Sequence, residues 1–316
     1  MIAHAQHQPL ISVLIPVYNS EGTIGRVVHE VREVLRDFRL EFVLVNDGSR
    51  DGSHEVCLGL SQTHPLTYVQ LAKNYGEHNA VMAGLNQVRG DYTIIMDDDF
   101  QNPPAELLKI IARILETGDD VVYTHYAEKK HSFLRNLGSR FNHAVSELLI
   151  DKPRGLYLSS FKIINRFIVD ELVKYQGPFP YIDGLIMRST NRISTLLVAH
   201  SERQEGRSGY TLRKLVRLWL NMSVNFSVLP LRISSLLGLG FSLLGALLSV
   251  LYTLERLLYP DIPAGWTTTI ISVMIFSGIQ LIILGIFGEY MGKLYLTLNQ
   301  TPQYTVRTRV TGKATD

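Results

Sequence analysis

Two long stretches without a charged residue constrain this chain more than any other feature. Residues 233–254 read ISSLLGLGFSLLGALLSVLYTL, and residues 266–288 read WTTTIISVMIFSGIQLIILGIFG. As helices they would be roughly 33 to 35 Å long, enough to cross a hydrocarbon core of about 30 Å. The alternative is a pair of buried core helices, but core helices normally keep a polar face, and only Gln280 and some hydroxyls are polar here. The sequence therefore predicts two transmembrane helices.

The distribution of basic residues predicts how these helices are oriented. The connection between them, residues 255–265, is short and nearly charge-balanced, and Tyr259 and Trp266 suit a membrane interface at that side. Basic residues on the other side are Arg207, Arg213, Lys214, Arg217 and Arg232 before the first helix, and Lys293, Arg307 and Arg309 after the second. Cytoplasmic flanks carry the excess of Lys and Arg, so we expect both termini in the cytoplasm and a multi-pass protein of the inner membrane.

Composition divides the chain into four parts. Residues 1–205 mix charged and apolar side chains as a soluble domain does, and residues 206–232 read as a basic amphipathic juxtamembrane segment. Residues 233–288 are the predicted transmembrane hairpin, and residues 289–316 are the predicted cytoplasmic tail. Lys plus Arg number 31 against 29 Asp plus Glu, which gives no reason to expect a nucleic-acid partner. The single cysteine, Cys57, excludes a multi-cysteine metal site.

The first 126 residues alternate between strand and helix patterns. Apolar strand patterns occur at residues 11–18, 40–49, 66–72, 92–99 and 120–126, with helical patterns between them. Such alternation is typical of a mostly parallel sheet covered by helices on both faces, which makes the fold class α/β. Ligands bind such sheets beyond the carboxyl ends of the strands.

Polar residues follow three of these strands. Pro16 and Tyr18 close the first strand, the turn Asp47-Gly48-Ser49 closes the second, and Asp97 to Asp99 close the fourth. Because the carboxyl ends of parallel strands meet at one edge, we expect these clusters to lie together. The glycine-rich loops of dinucleotide-binding and Walker-type proteins are absent from the sequence.

The three consecutive carboxylates have two interpretations. In an extended segment Asp97 and Asp99 point the same way and Gln101 continues that face, whereas Asp98 points outward. Oxygen ligands of this kind suit Mg²⁺ or Mn²⁺, which often bridge carboxylates and substrate phosphates. A solvated acidic turn is the other interpretation, and the residues by themselves leave both open.

Five motifs together carry a resemblance to a known family. The segments ISVLIPVYNSE, VLVNDGSRDGS, KNYGEHNAVMAGL, GDYTIIMDDDFQNPPAEL and LGIFGEYMGKLY are similar to those of the polyprenyl-phosphate glycosyltransferases of glycosyltransferase family 2. That group includes dolichyl-phosphate mannose synthases and bacterial undecaprenyl-phosphate sugar transferases. The resemblance covers nearly the whole chain and implies a GT-A-type nucleotide-sugar-binding domain, an amphipathic interface helix and two transmembrane helices.

The resemblance assigns roles to the residues at the predicted sheet edge. It implies that the divalent ion is held by Asp97, Asp99 and Gln101. It implies that the nucleotide sugar is bound by Pro16, Tyr18, Glu21, Asp47, Lys73, Asp97 and Asp98. Asp97 and Asp99 are thereby candidate catalytic residues. Asp183 lies near the position where other family members place a catalytic base, and a structural turn is the alternative for it.

The juxtamembrane segment resembles the acceptor-binding part of the family. Its candidate ligands for the lipid phosphate are Arg203, Arg207, Ser208 and Tyr210, and Arg203 is also a candidate catalytic residue. We assign the basic residues that follow, residues 213–217, to contact with anionic lipid. Four positions depart from the family pattern, namely Tyr126, Ser160, Lys162 and Gly209. These departures leave the identity of the sugar open.

The function implied is inverting transfer of a sugar from a nucleoside diphosphate, with UDP favoured, to a polyprenyl phosphate at the cytoplasmic membrane face. Mg²⁺ or Mn²⁺ is the expected cofactor. A processive polysaccharide synthase and a catalytically silent membrane scaffold are the alternatives. A flippase and a second glycosyltransferase are expected downstream, and small residues in the first span, Gly238, Gly240, Gly245 and Ala246, favour a homo-oligomer.

Overall fold

The computed structural model describes residues 8–100, 102–126, 156–199, 229–258 and 265–312. The chain forms two compact units, residues 1–209 with 300–316 and residues 210–299. The first unit is the α/β domain, and the second contains the two long apolar helices.

The α/β unit contains eight strands and six helices among its described residues. The strands are β1 (Leu10–Val17), β2 (Arg39–Asn46), β3 (Leu66–Leu71), β4 (Tyr92–Ile95), β5 (Val121–Tyr126), β6 (Lys162–Asn165), β7 (Ile193–Val198) and β8 (Val306–Thr311). The helices are α1 (Ile24–Val34), α2 (Ser53–Thr63), α3 (Glu77–Leu85), α4 (Glu106–Thr117), α5 (Arg166–Leu172) and α6 (Ile182–Ser189).

All eight strands belong to one sheet with the order β7-β5-β6-β4-β1-β2-β3-β8. The pairs β4–β1, β1–β2, β2–β3 and β5–β7 are parallel, whereas β6 and β8 run antiparallel to their neighbours. Strands joined through helices that pack back on the sheet must run parallel to one another, which accounts for the parallel centre. The prediction of a mostly parallel α/β sheet is confirmed.

Alternation along the strands produces a core on each face of the sheet. Val13 and Ile15 of β1 pack with α1, α2 and α4, whereas Leu14 packs with α3, α5 and α6. Both sets are buried, because successive side chains of a strand point to opposite faces and both faces are covered by helices. The same alternation continues past the strand ends and decides which face each site residue occupies.

Three strands lie outside the sequence prediction. β6 and β7 come from the part of the chain after residue 126, and β8 comes from the segment predicted as a tail. β8 pairs antiparallel with β3, and the Gly312 N–H donates to the Leu66 carbonyl at 2.8 Å. A Cβ at Gly312 would lie 2.3 Å from the His64 carbonyl oxygen, so only glycine permits this close approach.

The second unit contains α7 (Leu229–Leu258) and α8 (Trp266–Leu298). Their most apolar windows, Leu231–Leu248 and Ser272–Leu298, are long enough to cross a membrane, and neither window is buried within the structure. Neither window is therefore a buried core helix within the part of the chain that the structure describes. The helices contact each other through Phe241 and Phe276, whose rings meet edge to face at 6.3 Å. The predicted segment 206–232 lies outside the described residues except for its last four.

Candidate functional site

The segments that follow β1, β2 and β4 lie together at one edge of the sheet. The Asn19 N–H donates to Ser49 Oγ at 3.0 Å, and the Arg50 N–H donates to Asn19 Oδ1 at 2.9 Å, which joins the first segment to the second. The Ser20 hydroxyl donates to the Asp98 carboxylate, which joins the first to the third. Asn19 has φ 53°, a left-handed conformation that asparagine tolerates. The three predicted clusters therefore form one site.

The segment after β1 offers an exposed ring and a carboxylate that is already engaged. The Tyr18 side chain is 47% exposed, and an aromatic face in this position can stack on a nucleobase. The Glu21 carboxylate accepts a hydrogen bond from the Gly52 N–H at 2.9 Å, immediately before α2. Pro16 lies within β1, opposite Val45 of β2. Tyr18 therefore offers an exposed aromatic surface to a ligand.

Asp47 is buried and holds the segment that precedes α3. Its two carboxylate oxygens accept hydrogen bonds from the N–H groups of Tyr75 at 2.7 Å and Gly76 at 2.8 Å. Burial raises the pKa of Asp47, and these two hydrogen bonds partly oppose that rise. A carboxylate oxygen has two lone pairs, so each oxygen can still accept another donor. Lys73 is exposed in the same segment, and its ammonium lies 5.1 Å from the Tyr75 ring centre.

Asp97 and Asp98 face opposite sides of the sheet. Asp97 accepts a hydrogen bond from the Ser160 hydroxyl. Asp98 accepts from the Ser20 hydroxyl and, at 3.4 Å, from the Tyr18 N–H. We expected Asp98 to point outward, but its partners are on the segment after β1, because the alternation turns it toward α1. Burial, together with the adjacent carboxylates, raises the pKa of Asp98 to about 6.

Asp97 and Asp99 suit a metal ion that is bound partly by the protein and partly by a substrate. Asp97 and Asp99 are two residues apart and partly exposed, whereas Gln101 lies outside the described residues. Among the residues that the structure describes, no group of three or more His, Cys, Asp or Glu side chains could hold a metal ion. Mg²⁺ and Mn²⁺ commonly use one or two carboxylates and complete their coordination with phosphate oxygens and water, so two aspartates suit them.

Asp183 and Lys162 form a buried ion pair on the same face as Asp97. The Lys162 ammonium contacts Asp183 Oδ1, and the Tyr123 hydroxyl donates to the same oxygen at 2.8 Å. Asp183 is the second residue of α6. Lys162 is one of the four departures from the family pattern, and no local sequence pattern pairs it with a residue 21 positions later on another element.

Glu77 is a site residue that the sequence analysis missed. It begins α3, directly after Gly76. Burial by the surrounding protein is the main cause that raises its pKa to about 7, followed by the negative charge of Asp97. Because the charge of Asp97 acts on this carboxyl, Glu77 belongs to the Asp97 side of the site. Its neighbour His78 packs edge to face against Tyr181, with ring centres 5.1 Å apart.

The remaining predicted residues divide into one that lies near the site and several that cannot be placed. The Tyr126 hydroxyl donates to Asn102 Oδ1 at 2.6 Å, so Tyr126 contacts the segment that follows the aspartates. The predicted acceptor ligands lie outside the described residues, as does Gly209. These residues are Arg203, Arg207, Ser208 and Tyr210.

Comparison with known proteins identifies the class to which this fold and site belong. The family model of glycosyl transferase family 2 matches residues 12–173, which include every strand end described above for the site. The chain belongs to that family.

Curated relatives extend the similarity beyond the catalytic domain. The chain is 33% identical over 313 residues to proteins named undecaprenyl-phosphate 4-deoxy-4-formamido-L-arabinose transferase, from Yersinia pestis strain Pestoides F and Yersinia pseudotuberculosis serotype O:3. The match covers 97% of this chain and 95% of each relative, so it includes both apolar helices. The predicted resemblance to polyprenyl-phosphate glycosyltransferases of this family is confirmed.

Solved structures share the fold at lower similarity. Glucosyl-3-phosphoglycerate synthase from Mycobacterium tuberculosis, solved with Mn²⁺, UDP and phosphoglyceric acid, matches with a TM-score of 0.50 and 18% identity over 68% of this chain and 76% of its own. A mycobacterial protein matches with a TM-score of 0.50 and 17% identity over 69% of this chain and 75% of its own. These likenesses support the GT-A-type fold of the first unit.

Proposed function

We propose that this protein transfers a sugar from a nucleoside diphosphate to a polyprenyl phosphate, with inversion at the anomeric carbon. The observation that carries the proposal is that the segment after β1 binds both the turn that follows Asp47 and the aspartate segment at Asp98, in a chain that also has two apolar helices of membrane-spanning length. The 33% identity to undecaprenyl-phosphate sugar transferases along 97% of the chain supports the same acceptor class.

The donor is a UDP-sugar whose diphosphate lies at the aspartate segment. Asp97, Asp99 and Gln101 would hold Mg²⁺ or Mn²⁺, which when bound neutralises the charge that develops on the departing diphosphate. Tyr18 stacks on the base, while Asp47 and Lys73 lie on the nucleoside side. The neighbouring structure solved with Mn²⁺ and UDP supports this choice of nucleotide and ion.

The acceptor phosphate supplies its own nucleophile. A phosphate monoester has a second pKa of about 6 and is largely ionised at neutral pH, so its oxygen needs no strong general base. The cationic and hydroxyl groups of Arg203, Arg207, Ser208 and Tyr210 bind this phosphate near the membrane surface. The mixture of basic and apolar residues in segment 206–232 supports binding of this segment to the membrane interface.

The reaction takes place on the cytoplasmic face of the inner membrane. The excess of Lys and Arg on the flanks of the two helices supports a cytoplasmic location for both termini and the catalytic domain. Two helices form an anchor and offer no path across the membrane for the product, so a flippase and a second glycosyltransferase act on the lipid-linked sugar afterwards. The small residues of the first span pack copies of the chain into a homo-oligomer.

The experiment that tests this function uses the full-length protein in lipid nanodiscs with undecaprenyl phosphate and Mg²⁺ or Mn²⁺. Labelled UDP- and GDP-sugars are supplied one at a time, including UDP-4-deoxy-4-formamido-L-arabinose, and organic-phase label is counted. The expected result is lipid-linked label from one UDP-sugar, lost with chelator and reduced at least about 100-fold in Asp99→Ala.

The matched control is Asp37→Asn, an exposed carboxylate on the connection between α1 and β2, which should leave transfer unchanged. Chains of label on one lipid would favour a processive synthase. Nucleotide binding without any transfer would favour a silent scaffold.

A further inference from the structure

The buried ion pair between Lys162 and Asp183 has no role in the reaction as proposed. The Lys162 side chain is 4% exposed and that of Asp183 is 11% exposed. The Lys162 ammonium also lies 5.1 Å from the centre of the Tyr123 ring, and Tyr123 is fully buried. One carboxylate oxygen therefore accepts from both an ammonium and a phenol inside the core.

Such a cluster is a poor way to stabilise a fold. The free energy needed to remove two charges from water can exceed the free energy of their attraction, and apolar residues of similar volume often give a more stable fold. The neighbouring positions on this face, Ile95 and Ile164, show that the core accepts apolar side chains there. Stability of the core alone therefore does not account for this ion pair.

One end of the ion pair leads to the metal side of the site. β4 and β6 pair antiparallel with Ile95 opposite Lys162. The same register, continued by two residues, places Asp97 opposite Ser160, and the Ser160 hydroxyl does donate to Asp97. Residues two apart on an extended strand face the same side. Lys162 thus lies on β6, and Ser160, two residues before it, binds the Asp97 carboxylate.

The other end leads to the nucleotide side. Asp183 lies in the first turn of α6, and Tyr181 immediately before that helix packs against His78 at the start of α3. Two residues before His78, the Gly76 N–H donates to the Asp47 carboxylate. The ion pair joins β6 to the start of α6, and through these elements it connects the segment at Asp97 with the segment at Asp47.

We propose that Lys162 is a positioning residue: through its bond to Asp183 it sets the placement of Asp97 relative to Asp47, and so of the diphosphate relative to the nucleoside. Asp183, held by two donors, takes no proton in the transfer. This inference rests on the proposed function, because it assumes that a nucleotide sugar spans those two carboxylates.

The test compares Lys162→Met, Lys162→Arg, Asp183→Asn and the double variant Lys162→Met/Asp183→Asn in nanodiscs. Affinity for UDP with Mn²⁺ is measured by calorimetry, KM and kcat are measured by sugar transfer, and unfolding is measured by heating. Lys162→Met should weaken UDP binding and raise the donor KM at least tenfold without changing the acceptor KM. Lys162→Arg should restore both to within about threefold.

The remaining variants separate positioning from folding and from proton transfer. The double variant should recover the unfolding temperature lost in Lys162→Met, because no unpaired charge remains, but not the UDP affinity. Asp183→Asn should raise the donor KM with kcat within tenfold of wild type. Wild-type UDP affinity in Lys162→Met would overturn the inference, as would an Asp183→Asn variant whose kcat falls a thousandfold at unchanged KM.

The two proposals fail in different ways. A wild-type protein that binds UDP but transfers no sugar would refute the proposed reaction, while the UDP affinities of the variants would still decide the role of Lys162. A wild-type protein that binds neither UDP nor GDP would refute both.

Discussion

Asp47 offers the sharpest prediction on stability, because its contacts are few and buried. Asp47 is 3% exposed, and its carboxylate accepts the N–H groups of Tyr75 and Gly76 at 2.7 and 2.8 Å. A hydrogen bond to a charged group contributes about 1.5 to 3 kcal/mol. Asp47→Ala therefore removes about 3 to 6 kcal/mol of gross interaction, from which the cost of burying the carboxylate is subtracted, since burial raises the pKa of this group.

The net loss expected for Asp47→Ala is about 2 to 3 kcal/mol, because Tyr75 and Gly76 are only partly buried and water can replace part of the lost interaction. For a domain of this size that lowers the unfolding temperature by about 4 to 12 °C. Asp47→Asn keeps one acceptor and should lose about half as much.

Cys57 provides an assay specific to the catalytic unit. It is the single cysteine of the chain, it is fully buried, and burial raises the pKa of its thiol to about 12, so a thiol-reactive dye reports only on opening of this unit. Asp37→Ala, on an exposed side chain, is the control and should stay within about 0.5 kcal/mol of wild type. An Asp47→Ala midpoint equal to that of the control would refute the reasoning.

Three further outcomes are expected. Gly48 has φ 66°, and a Cβ there would lie 2.5 Å from the Lys73 carbonyl carbon, so Gly48→Ala should lower the free energy of unfolding by at least about 2 kcal/mol. Gly59 lies in α2 with open space around it, so Gly59→Ala should raise the free energy of unfolding by up to about 1 kcal/mol. The thiol assay measures both changes. The raised pKa of Glu77, about 7, means that the folded state favours the neutral carboxyl, so the stability that this carboxyl contributes is fully present below the ordinary pKa of 4.5 and is lost as pH rises through 7. In the presence of chelator, Glu77→Gln should therefore raise the unfolding temperature at pH 8 and not at pH 4.5. Equal shifts at both pH values would contradict this. Leu243→Arg, within the first apolar window, should reduce the fraction of protein that stays in the membrane after an alkaline wash, since arginine at a helix centre costs about 2.5 to 3.5 kcal/mol.

The central part of the fold could be predicted from the sequence because local patterns determine it. Apolar runs separated by amphipathic helices predicted β1 to β5 and a mostly parallel sheet. Windows without charged residues predicted the two long helices. β8 could not be predicted in this way. Its alternation of Val, Thr and Arg is short, and its partner β3 lies more than 200 residues earlier in the chain.

The candidate site shows the same division. The meeting of the Asp47 turn with Asp97 to Asp99 follows from the rule that the carboxyl ends of parallel strands share an edge. The orientation of Asp98 toward Ser20 depends on how far the strand alternation continues beyond β4. The contact between Lys162 and Asp183 depends on the packing of α6 against β6, which no local pattern records.

The measurement that tests the central claim most directly compares acceptors at a fixed donor. The labelled UDP-sugar is added to nanodiscs that contain the full-length protein and metal, together with undecaprenyl phosphate, with undecaprenol, or with neither. The mass of the lipid product is measured by mass spectrometry. The account predicts one sugar on undecaprenyl phosphate and no product in the other two samples. A product with several sugars, or label on undecaprenol, would contradict it.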